Sequence, residues 1–433
     1  MELILLRHAV RRLALGAHTS WHAGAMCVSL ADVHRLFPAR GGIRLRDVRA
    51  ASPGDSLRFG PVLDVVGARC GVDGSAFPGW NGAAPAGERR TLHILDNLAI
   101  SVAANLPGIQ EGLIDMTAPM HSPFANLHHL LCVVEVEKGA DKEAADAAIR
   151  RFQCRLAEHV AAHAVHSEAD RQERFTWPLP GKRLLPRVGM AYLVQSQGVL
   201  RRTYLDGVAL DAGRLAGSDA DRLGGNTAGN DPGPFAPAAI SPLRLLSGAL
   251  VSGNYVLCCN KTCTYIHQEH PVVRQMLLRH GTDFDFGGVV MANEASTTEG
   301  KCETAREVAR LARESGWQGA VVNQEGGGNA DTDCMLVCRE LERAGIATVL
   351  LVNEFAGPDG LTPSLAETTP EARWIVSTGN NDAVLELGAV QEAPGFLEGL
   401  LGPLPAGPVK VPMTRLYAST NQLGYNVLSC ETR

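Results

Sequence analysis

The sequence lacks the features that would place the protein in a membrane or on a nucleic acid. No stretch reaches the roughly 18 to 20 apolar residues that a membrane-spanning helix needs. The net charge of −6 gives no reason to expect nucleic acid or an anionic membrane as a partner. The first residues carry an acid at Glu2 and only a short apolar run, which does not resemble a secretory signal. We therefore expect a cytoplasmic protein.

Two common ligand-binding signatures are also missing. The glycine-rich stretch 325–333 has neither the Gly-Lys-Ser/Thr ending of a P-loop nor the spaced glycines of a dinucleotide-binding turn. None of the 11 cysteines forms the paired Cys-x-x-Cys knuckle that is typical of structural zinc sites. Cysteines in a chain of this size and composition indicate thiol, metal or redox chemistry rather than a disulfide framework.

The composition changes along the chain and predicts two domains. Residues 1–213 alternate short apolar runs with Gly, Pro and Asp, and they include one helical pattern at 144–165, which indicates a β-rich α+β domain. Residues 214–238 are rich in Gly, Pro, Asn and Asp and predict a flexible insertion or linker. Residues 239–433 form the second predicted domain. Two domains are expected because a chain of 433 residues is longer than a typical domain with one hydrophobic core.

The second domain shows the alternating pattern of an α/β fold. Nearly continuous apolar strands separated by amphipathic helices are typical of a parallel sheet covered on both faces. We therefore predict a doubly wound parallel sheet. The predicted strands are 287–293, 319–324, 347–352 and 374–377, and the predicted helices are 301–314 and 332–344.

Polar residues follow each of these strands. In an open parallel sheet, ligands bind beyond the carboxyl ends of the strands, so the loops predict one crevice. Acidic residues would repel phosphate and suit a small amine-bearing or cationic ligand. The alternative is that these residues only form turns and helix caps. The predicted binding residues are Asn293, Glu294, Glu325, Asn329, Asp331, Asp333, Asn353, Glu354, Thr378 and Asn380.

A cysteine-rich segment at 251–267 is the second candidate for chemistry. It places Cys258, Cys259 and Cys263 within six positions, with His267 following. Cys259, Cys263 and His267 lie at four-residue steps, so on one helix they would share a face suited to Zn²⁺. Ordinary buried cysteines are the alternative, because free cysteine is among the most buried residue types.

The start of this segment, Val251-Ser-Gly-Asn254, resembles the self-cleavage region of the proprotein subunit of glycine/sarcosine/betaine reductase component B. In that family a cysteine follows this motif, cleaves its own peptide bond and becomes a pyruvoyl group. Here the position is Tyr255. Its phenol is too far from the preceding carbonyl for a five-membered ring, and its aryl carbon cannot leave, so we expect no pyruvoyl group at this position.

The resemblance implies which residues take part in the chemistry. Cys258, Cys259 and Cys263 retain a thiol that could in principle start an acyl shift, and Cys259 coincides with a second cysteine of the family pattern. With Tyr255 these are the catalytic candidates, and Asn254 joins the predicted binding residues.

The resemblance extends over most of the chain. Residues 108–116, 122–124, 197–207, 325–333, 353–360, 378–380 and 423–428 are similar to family stretches in the same order. It implies a subunit of a hetero-oligomeric reductase that binds a small nitrogen-containing substrate beside a thiol- or selenol-bearing partner subunit, for reductive C–N cleavage. A non-catalytic structural partner, or a thiol or zinc enzyme on the same scaffold, remains an alternative.

Overall fold

The computed structural model describes residues 1–39, 41–72, 76–77, 80, 89–106, 111–179, 184–195, 203–209, 236–253 and 256–425. These residues form a mixed α/β structure with more strand than helix. The helices are α1 (Leu30–Leu36), α2 (Lys142–Ala162), α3 (Pro242–Leu246), α4 (Thr264–Gln268), α5 (Pro271–Arg279), α6 (Thr298–Glu314), α7 (Asn329–Arg343) and α8 (Glu398–Leu401).

The strands belong to several sheets that mix parallel and antiparallel pairs. In the first half they are β1 (Glu2–Ala9), β2 (Arg12–Gly16), β3 (Ser20–His22), β4 (Ala25–Ser29), β5 (Ile43–Ala51), β6 (Arg58–Phe59), β7 (Val62–Gly71), β8 (Arg89–Ala104), β9 (Ile114–Asp115), β10 (His128–Val136), β11 (Arg171–Thr176) and β12 (Arg187–Val194). In the second half they are β13 (Tyr204–Leu205), β14 (Val208–Ala209), β15 (Ala238–Ile240), β16 (Leu250–Val251), β17 (Asp285–Asn293), β18 (Gly319–Asn323), β19 (Ala347–Glu354), β20 (Ile375–Asn380), β21 (Val384–Leu387) and β22 (Val409–Pro412).

The long strand β8 organises the first large sheet, in which β11, β1, β8, β10 and β5 lie side by side and β7 also pairs with β8. The first half of β8 pairs in parallel with β1, and its second half pairs in parallel with β10. Between the two halves Asn97 has a φ of 65°, a left-handed conformation that asparagine tolerates better than most residues. Helix α2 covers β7 and β8 and buries its apolar face there.

The second large sheet has the order β15-β17-β12-β18-β19-β20. Strands β17, β12, β18, β19 and β20 are parallel, and only the edge strand β15 runs antiparallel to its neighbour. The parallel strands predicted from the sequence are confirmed. Strand β12 was expected in the first domain, yet it lies between β17 and β18, so the sheet includes residues from both sides of the predicted boundary at 213.

Two cores meet at this sheet. Helices α6 and α7 pack on one face, where Ala191, Leu193, Val322 and Leu350 contribute to a separate apolar cluster. The alternate residues Met190, Tyr192 and Val194 face the large core that also contains residues of α4, α5 and the first sheet. Because side chains alternate along a strand, one sheet thus joins both parts of the molecule. The doubly wound arrangement and the domain division stay predictions.

The predicted linker lies largely outside the described residues. Residues 214–235 belong to the part of the chain that is not described, whereas Ala238, at the end of the predicted linker, begins β15. The predicted helix at 144–165 corresponds to α2, and those at 301–314 and 332–344 correspond to α6 and α7. The elements that position the loops at the carboxyl edge of the second sheet are therefore as expected.

Candidate active site

The loops that follow the parallel strands lie at one edge of the second sheet, as the sequence predicted. Glu294 follows β17, Glu325 follows β18, and Asn353 lies near the end of β19. These three side chains are buried. Asn353 and the backbone of Gly326 bond to Gln422, which belongs to the C-terminal segment 416–424, and this segment is also buried along its whole length. The predicted convergence is therefore present, in a closed form.

Three carboxylates and one ammonium form the acidic side of the crevice. Glu294 accepts a hydrogen bond from the backbone N–H of Glu325 at 3.0 Å. Asp333 contacts the Lys301 ammonium, which also donates to the backbone carbonyl of Asn329 at 3.1 Å. Burial raises the pKa of Glu294 well above its usual range, and the charges of Asp333 and Glu325 raise it further. The surroundings of Glu294 therefore favour its neutral form relative to a carboxyl group in water.

Glu325 lies in a set of buried aromatic and imidazole rings. Its carboxylate accepts hydrogen bonds from the Tyr192 hydroxyl at 2.7 Å and from the backbone N–H of Gln195 at 3.0 Å. The Nε2 atom of His267 lies 3.8 Å from the same carboxylate. Burial lowers the pKa of His267 to about 3 and that of His270 to about 3, so both imidazoles are neutral at neutral pH.

A chain of side-chain amides forms the other side of the crevice. The backbone N–H of Gly326 donates to Gln422 Oε1 at 2.7 Å, and Gln422 Nε2 donates to Asn353 Oδ1 at 2.8 Å. The Nδ2 atom of Asn353 in turn donates to Asn260 Oδ1. Because a backbone N–H can only donate, it fixes the orientation of each amide in this chain. Asn260 therefore presents Oδ1 to Asn353 and keeps Nδ2 for another partner.

Cys259 lies beside this chain of amides. Its thiol donates to Asn260 Oδ1 at 3.1 Å and to Asn381 Oδ1 at 3.3 Å. The Thr420 hydroxyl donates to Asn381 Oδ1 at 2.5 Å. Burial raises the pKa of the Cys259 thiol to about 12. Cys259 is thus a neutral hydrogen-bond donor between two amides, since a reactive thiolate would need a lowered pKa.

The other two cysteines of the segment are buried in different surroundings. Cys258 donates from Sγ to the backbone carbonyl of Thr414 at 2.8 Å, and Cys263 is the N-cap residue of α4. Burial raises the pKa of both thiols well above the usual range. Neither thiol is placed as an accessible nucleophile.

The single helical face predicted for Cys259, Cys263 and His267 is wrong. Cys258–Asn260 form a 3-10 turn, and α4 begins only at Thr264. Cys259 and His267 therefore do not lie on one helix. In the described part of the chain, no group of three or more His, Cys, Asp or Glu side chains is arranged to hold a metal ion. The zinc hypothesis rested on a helical face shared by Cys259, Cys263 and His267, and the structure does not contain such a face.

Asn254 and Tyr255 lie outside the described residues, and the residues on either side of them are held by hydrogen bonds and packing. The backbone N–H groups of Ser252 and Gly253 donate at 3.0 Å to the hydroxyls of Thr264 and Thr203. On the other side, Val256 packs against Gly326, where φ is 94° and a Cβ atom would come within 3.1 Å of the valine. Position 255 is therefore adjacent in sequence to a residue that contacts the glycine-rich loop of the crevice.

Several predicted binding residues have local structural roles. Asp331 accepts from Gln324 Nε2 at 2.5 Å and from the backbone N–H of Ala366 at 3.0 Å, next to the start of α7. Asn380 bonds to the backbone of Ala356, Gly357 and Asp382 and so holds a turn together. Thr378 donates to the backbone carbonyls of Val352 and Thr420. For these residues the structure matches the turn-and-cap alternative.

The remaining predicted residues differ in exposure. Asn293 is buried and is the last residue of β17. Asn329 is exposed at the first turn of α7, and Glu354 is half-buried at the end of β19. Glu354 lies opposite Asn380 in the pairing of β19 with β20. Two surface cavities, of about 260 Å³ near Trp21 and about 530 Å³ near Phe396, are not lined by any of the predicted site residues.

Sequence reasoning missed the residues that complete the crevice from distant parts of the chain. These are Tyr192, Asn260, Lys301, Asn381, Thr420 and Gln422. A signal was present for two of them, because Asn260 directly follows Cys259 and Asn381 directly follows Asn380. Tyr192 and the C-terminal residues carry no local motif, and only the fold brings them to the crevice.

Within the described residues no helix is long and apolar enough to cross a membrane. No solved structure matches the chain. Curated relatives cover nearly its whole length. The sarcosine reductase complex component B subunit alpha of Peptoclostridium acidaminophilum is 31% identical over 99% of both chains. The glycine reductase complex component B subunits alpha and beta of the same organism are 28% identical over 98% of this chain and 97% of the relative.

A third relative, the betaine reductase complex component B subunit alpha of Peptoclostridium acidaminophilum, is 28% identical over 92% of this chain and 89% of its own length. The sequence profile of the family described as glycine/sarcosine/betaine reductase component B subunits matches residues 1–213 and 226–431. This match confirms the resemblance found in the sequence. The chain therefore belongs to the family of glycine/sarcosine/betaine reductase component B subunits.

Proposed function

We propose that the protein is a subunit of a multi-component reductase and binds a small nitrogen-containing acid in the crevice at the carboxyl ends of the parallel strands. The observation that carries this proposal is the contact between Val256 and Gly326. Val256 belongs to the segment that, in the family, carries the self-cleaving cysteine. Gly326 belongs to the glycine-rich loop, which lies between the acidic side of the crevice and the chain of side-chain amides. A partner thiol or selenol would reach the bound substrate there.

The relatives named above act in glycine, sarcosine and betaine reductase complexes. Glycine, sarcosine and betaine share a carboxylate one carbon away from a nitrogen and differ in how many methyl groups that nitrogen carries. We propose a substrate of this class for the present chain. The crevice offers carboxylates for the nitrogen end, at Glu294 and Glu325, and amide donors for the acid end.

The residues present do not fit a pyruvoyl group at position 255, because tyrosine cannot carry out the acyl shift. Cys258, Cys259 and Cys263 are buried and have raised thiol pKa values, which disfavours the thiolate that would start the reaction. We therefore propose that the chain stays uncut and that its contribution is to bind and orient the substrate while the partner subunit carries the nucleophile.

Intact-mass spectrometry of the purified chain tests the processing step. We expect one species near 46.0 kDa. Two fragments that meet at Cys258, Cys259 or Cys263, with the downstream fragment blocked to Edman sequencing, would contradict the proposal and restore a self-processed carbonyl group.

Co-purification tests the assembly. A tagged chain produced in its native host should retain a second protein with an alkylatable thiol or selenol. Cys259→Ala should lower the activity of that complex, whereas Cys334→Ala, at an equally buried position in the second core, should affect stability alone. Full activity of Cys259→Ala with loss of activity in Cys334→Ala would contradict the assignment.

The second candidate function is a non-catalytic structural partner. The closed crevice favours it, because Glu325, Asn353 and Gln422 already have partners within the protein. If the chain co-purifies with other subunits while Glu294, Glu325 and Cys259 tolerate substitution without loss of complex activity, this function replaces the first.

A further inference from the structure

Two buried amide groups at the crevice have donors with no partner in the part of the chain that the structure describes. The Nδ2 atoms of Asn260 and Asn381 are both buried, and neither has a hydrogen-bond acceptor among the described residues. The exposed fractions are 1% for Asn260 and 0% for Asn381. A buried donor left unpaired costs about 1–3 kcal/mol, so two of them side by side call for a ligand or ordered solvent.

The orientation of Asn260 is set by the backbone. Gly326 fixes Gln422, Gln422 fixes Asn353, and Asn353 donates to Asn260 Oδ1. Exchanging O and N in Asn260 would place two amide NH₂ groups against each other. The free group of Asn260 is therefore a donor, which determines the kind of ligand atom that it can meet.

Asn381 is coupled to the same point. Its Oδ1 accepts from Thr420 and from the Cys259 thiol, and both of these atoms also lie within hydrogen-bond distance of Asn260 Oδ1. The two amide groups are thus neighbours that share their acceptor side. Each retains two N–H bonds for a ligand that offers several lone pairs.

Two cationic residues lie on segments that adjoin the subsite. Lys261 directly follows Asn260 and is buried, and Arg415 lies on the segment that contacts Cys258. Both cations lower the pKa of the Cys258 thiol, against the larger effect of burial. Asp382 is a carboxylate whose charge acts on Cys259, and it accepts a hydrogen bond from the backbone N–H of Gly357 at 2.9 Å.

We propose that Asn260 and Asn381 form an anion subsite that binds the carboxylate of the substrate. This inference rests on the proposed function, which supplies a small nitrogen-containing acid, and it assigns the two ends of that molecule to different sides of the crevice. A carboxylate has two oxygens and about four lone-pair sites, so one group can accept from both amides. Cys259 and Thr420 act as positioning residues, because they hold the two Oδ1 atoms.

Ligand selectivity of the purified full-length chain tests the subsite without any substitution. Glycine, sarcosine and betaine are compared by calorimetric titration with glycinamide, which keeps the nitrogen and lacks the negative charge. Acetate and inorganic phosphate are further probes. We expect one of the three acids to bind at least about tenfold more tightly than glycinamide, since hydrogen bonds to charged groups are the stronger ones. Acetate should compete with that acid and phosphate should not.

Two substitutions locate the effect. Asn260→Asp and Asn381→Asp keep the accepting oxygen and replace the donor by an oxygen that repels a carboxylate. We expect each to weaken binding of the acid by about tenfold or more and to leave glycinamide binding unchanged. The matched control is Asn105→Asp, because both ends of Asn105 bond to the backbone of Val136 in the first sheet. This control should lose stability and keep the affinity.

Each result of these titrations supports or overturns the subsite. Equal affinity for the acids and glycinamide means that the two donors hold ordered water only, and it leaves the proposed function intact. Competition by phosphate as strong as that by acetate overturns the carboxylate assignment. If none of the nitrogen compounds binds and no partner co-purifies, the proposed function fails together with the subsite. Unchanged acid binding in both aspartate variants overturns the subsite alone.

Discussion

Two buried clusters of charged side chains in this molecule differ in the direction in which the pKa of a central carboxyl group is shifted. In the first, Glu269 of the loop between α4 and α5 contacts Arg7, Arg69 and Arg274, and Arg7 also contacts Asp96 and Glu173. In the second, at the crevice, Glu294, Glu325 and Asp333 lie together, and the Lys301 ammonium contacts Asp333. The first cluster joins its carboxylates to arginines, and the second places carboxyl groups beside one another.

The pKa values reflect this difference. Burial by itself raises the pKa of Glu269, yet Arg7, Arg69 and Arg274 outweigh burial and lower it below its ordinary value. Glu294 is buried, and its pKa is raised well above the ordinary value by burial and by its acidic neighbours. Networks of paired charges hold elements together, whereas perturbed carboxyl groups in a crevice are typical of functional sites. The comparison thus separates a structural cluster from a candidate site.

The largest effect is expected in the cluster around Glu269. Glu269→Gln removes the carboxylate that the buried Arg7 and Arg69 share with the half-buried Arg274. Breaking a buried pair costs about 3–5 kcal/mol. Urea denaturation should show this loss of unfolding free energy, with ligand affinity unchanged in the protein that still folds.

The control for this substitution is Glu307→Gln, whose partner Arg310 is an exposed neighbour on α6. It should lose less than about 1 kcal/mol. If Glu269→Gln is no more damaging than this control, the network around Arg7 does not hold α5 against the first sheet.

The second effect concerns the imidazoles beside the crevice. His267 and His270 have folded-state pKa values of about 3, below the ordinary 6.5, so their contribution to stability is present above pH 6.5 and is lost as the pH falls toward 3. At pH 5 each should have lost about 2 kcal/mol of its contribution. Unfolding measured between pH 7 and pH 5 should show this loss.

Removing one imidazole should flatten the pH dependence. His267→Phe keeps a ring in the same buried site and removes one titrating group, so the slope of unfolding free energy against pH should fall by one proton. His18→Phe, at an exposed position, controls for the change of side chain. An unchanged slope in the His267 variant would mean that this imidazole does not stay neutral in the folded protein.

The third effect has the opposite sign and applies to the acidic cluster. The folded-state pKa of Glu294 is raised, so the stability it contributes is present below its ordinary pKa of 4.5 and is lost as the pH rises toward the folded-state value. Glu294→Gln removes this titration and keeps an oxygen for the N–H of Glu325. We expect a gain on the order of 1 kcal/mol at pH 7 that shrinks toward pH 4.5, together with weaker binding of the nitrogen-containing ligand.

Thermal unfolding across pH 4.5 to 8 measures this gain. A stability loss at pH 7 would show that Glu294 is ionised and paired in the folded protein, and the two clusters would then be alike. The test thereby decides whether the Glu294 carboxyl is neutral in the folded protein at pH 7.

The parallel sheet could be predicted from local patterns, because each strand is apolar along its length and is bounded by polar or glycine-rich residues. The strand predicted at 319–324 is found at Gly319–Asn323, and the helix predicted at 332–344 is found at Asn329–Arg343. The place of β12 between β17 and β18 could not be predicted, since its pairing partners lie 98 residues away in β17 (Arg187 with Asp285) and 131 residues away in β18 (Val188 with Gly319) and leave no local pattern.

The candidate site divides in the same way. Glu294, Glu325 and Asn353 were predictable, because the carboxyl ends of parallel strands meet at one edge. Gln422 and Thr420 were not, since the C-terminal segment reaches the crevice through tertiary packing alone. Lys301 begins the helix predicted at 301–314, and that helical pattern carries no sign that its ammonium is buried against Asp333.

The smallest effect on stability is expected at Glu354, which marks the outer limit of the acidic cluster. Its side chain is half-buried at the end of β19, and the backbone carbonyl of the same residue accepts from Asn381 at 2.8 Å, independently of the carboxylate. Glu354→Gln should therefore change unfolding free energy by less than about 0.5 kcal/mol. Glu325→Gln is the informative contrast, because its new amide would face the Tyr192 hydroxyl or the N–H of Gln195, at a cost of about 1–3 kcal/mol.

If Glu354→Gln weakens ligand binding while stability is unchanged, Glu354 contacts the ligand and the site extends to the end of β19. If binding and stability are both unchanged, the acidic side of the site ends at Glu294 and Glu325. If Glu354→Gln loses as much stability as Glu325→Gln, the Glu354 carboxylate has a structural role like that of the buried Glu325, and Glu354 does not mark the outer limit of the acidic cluster.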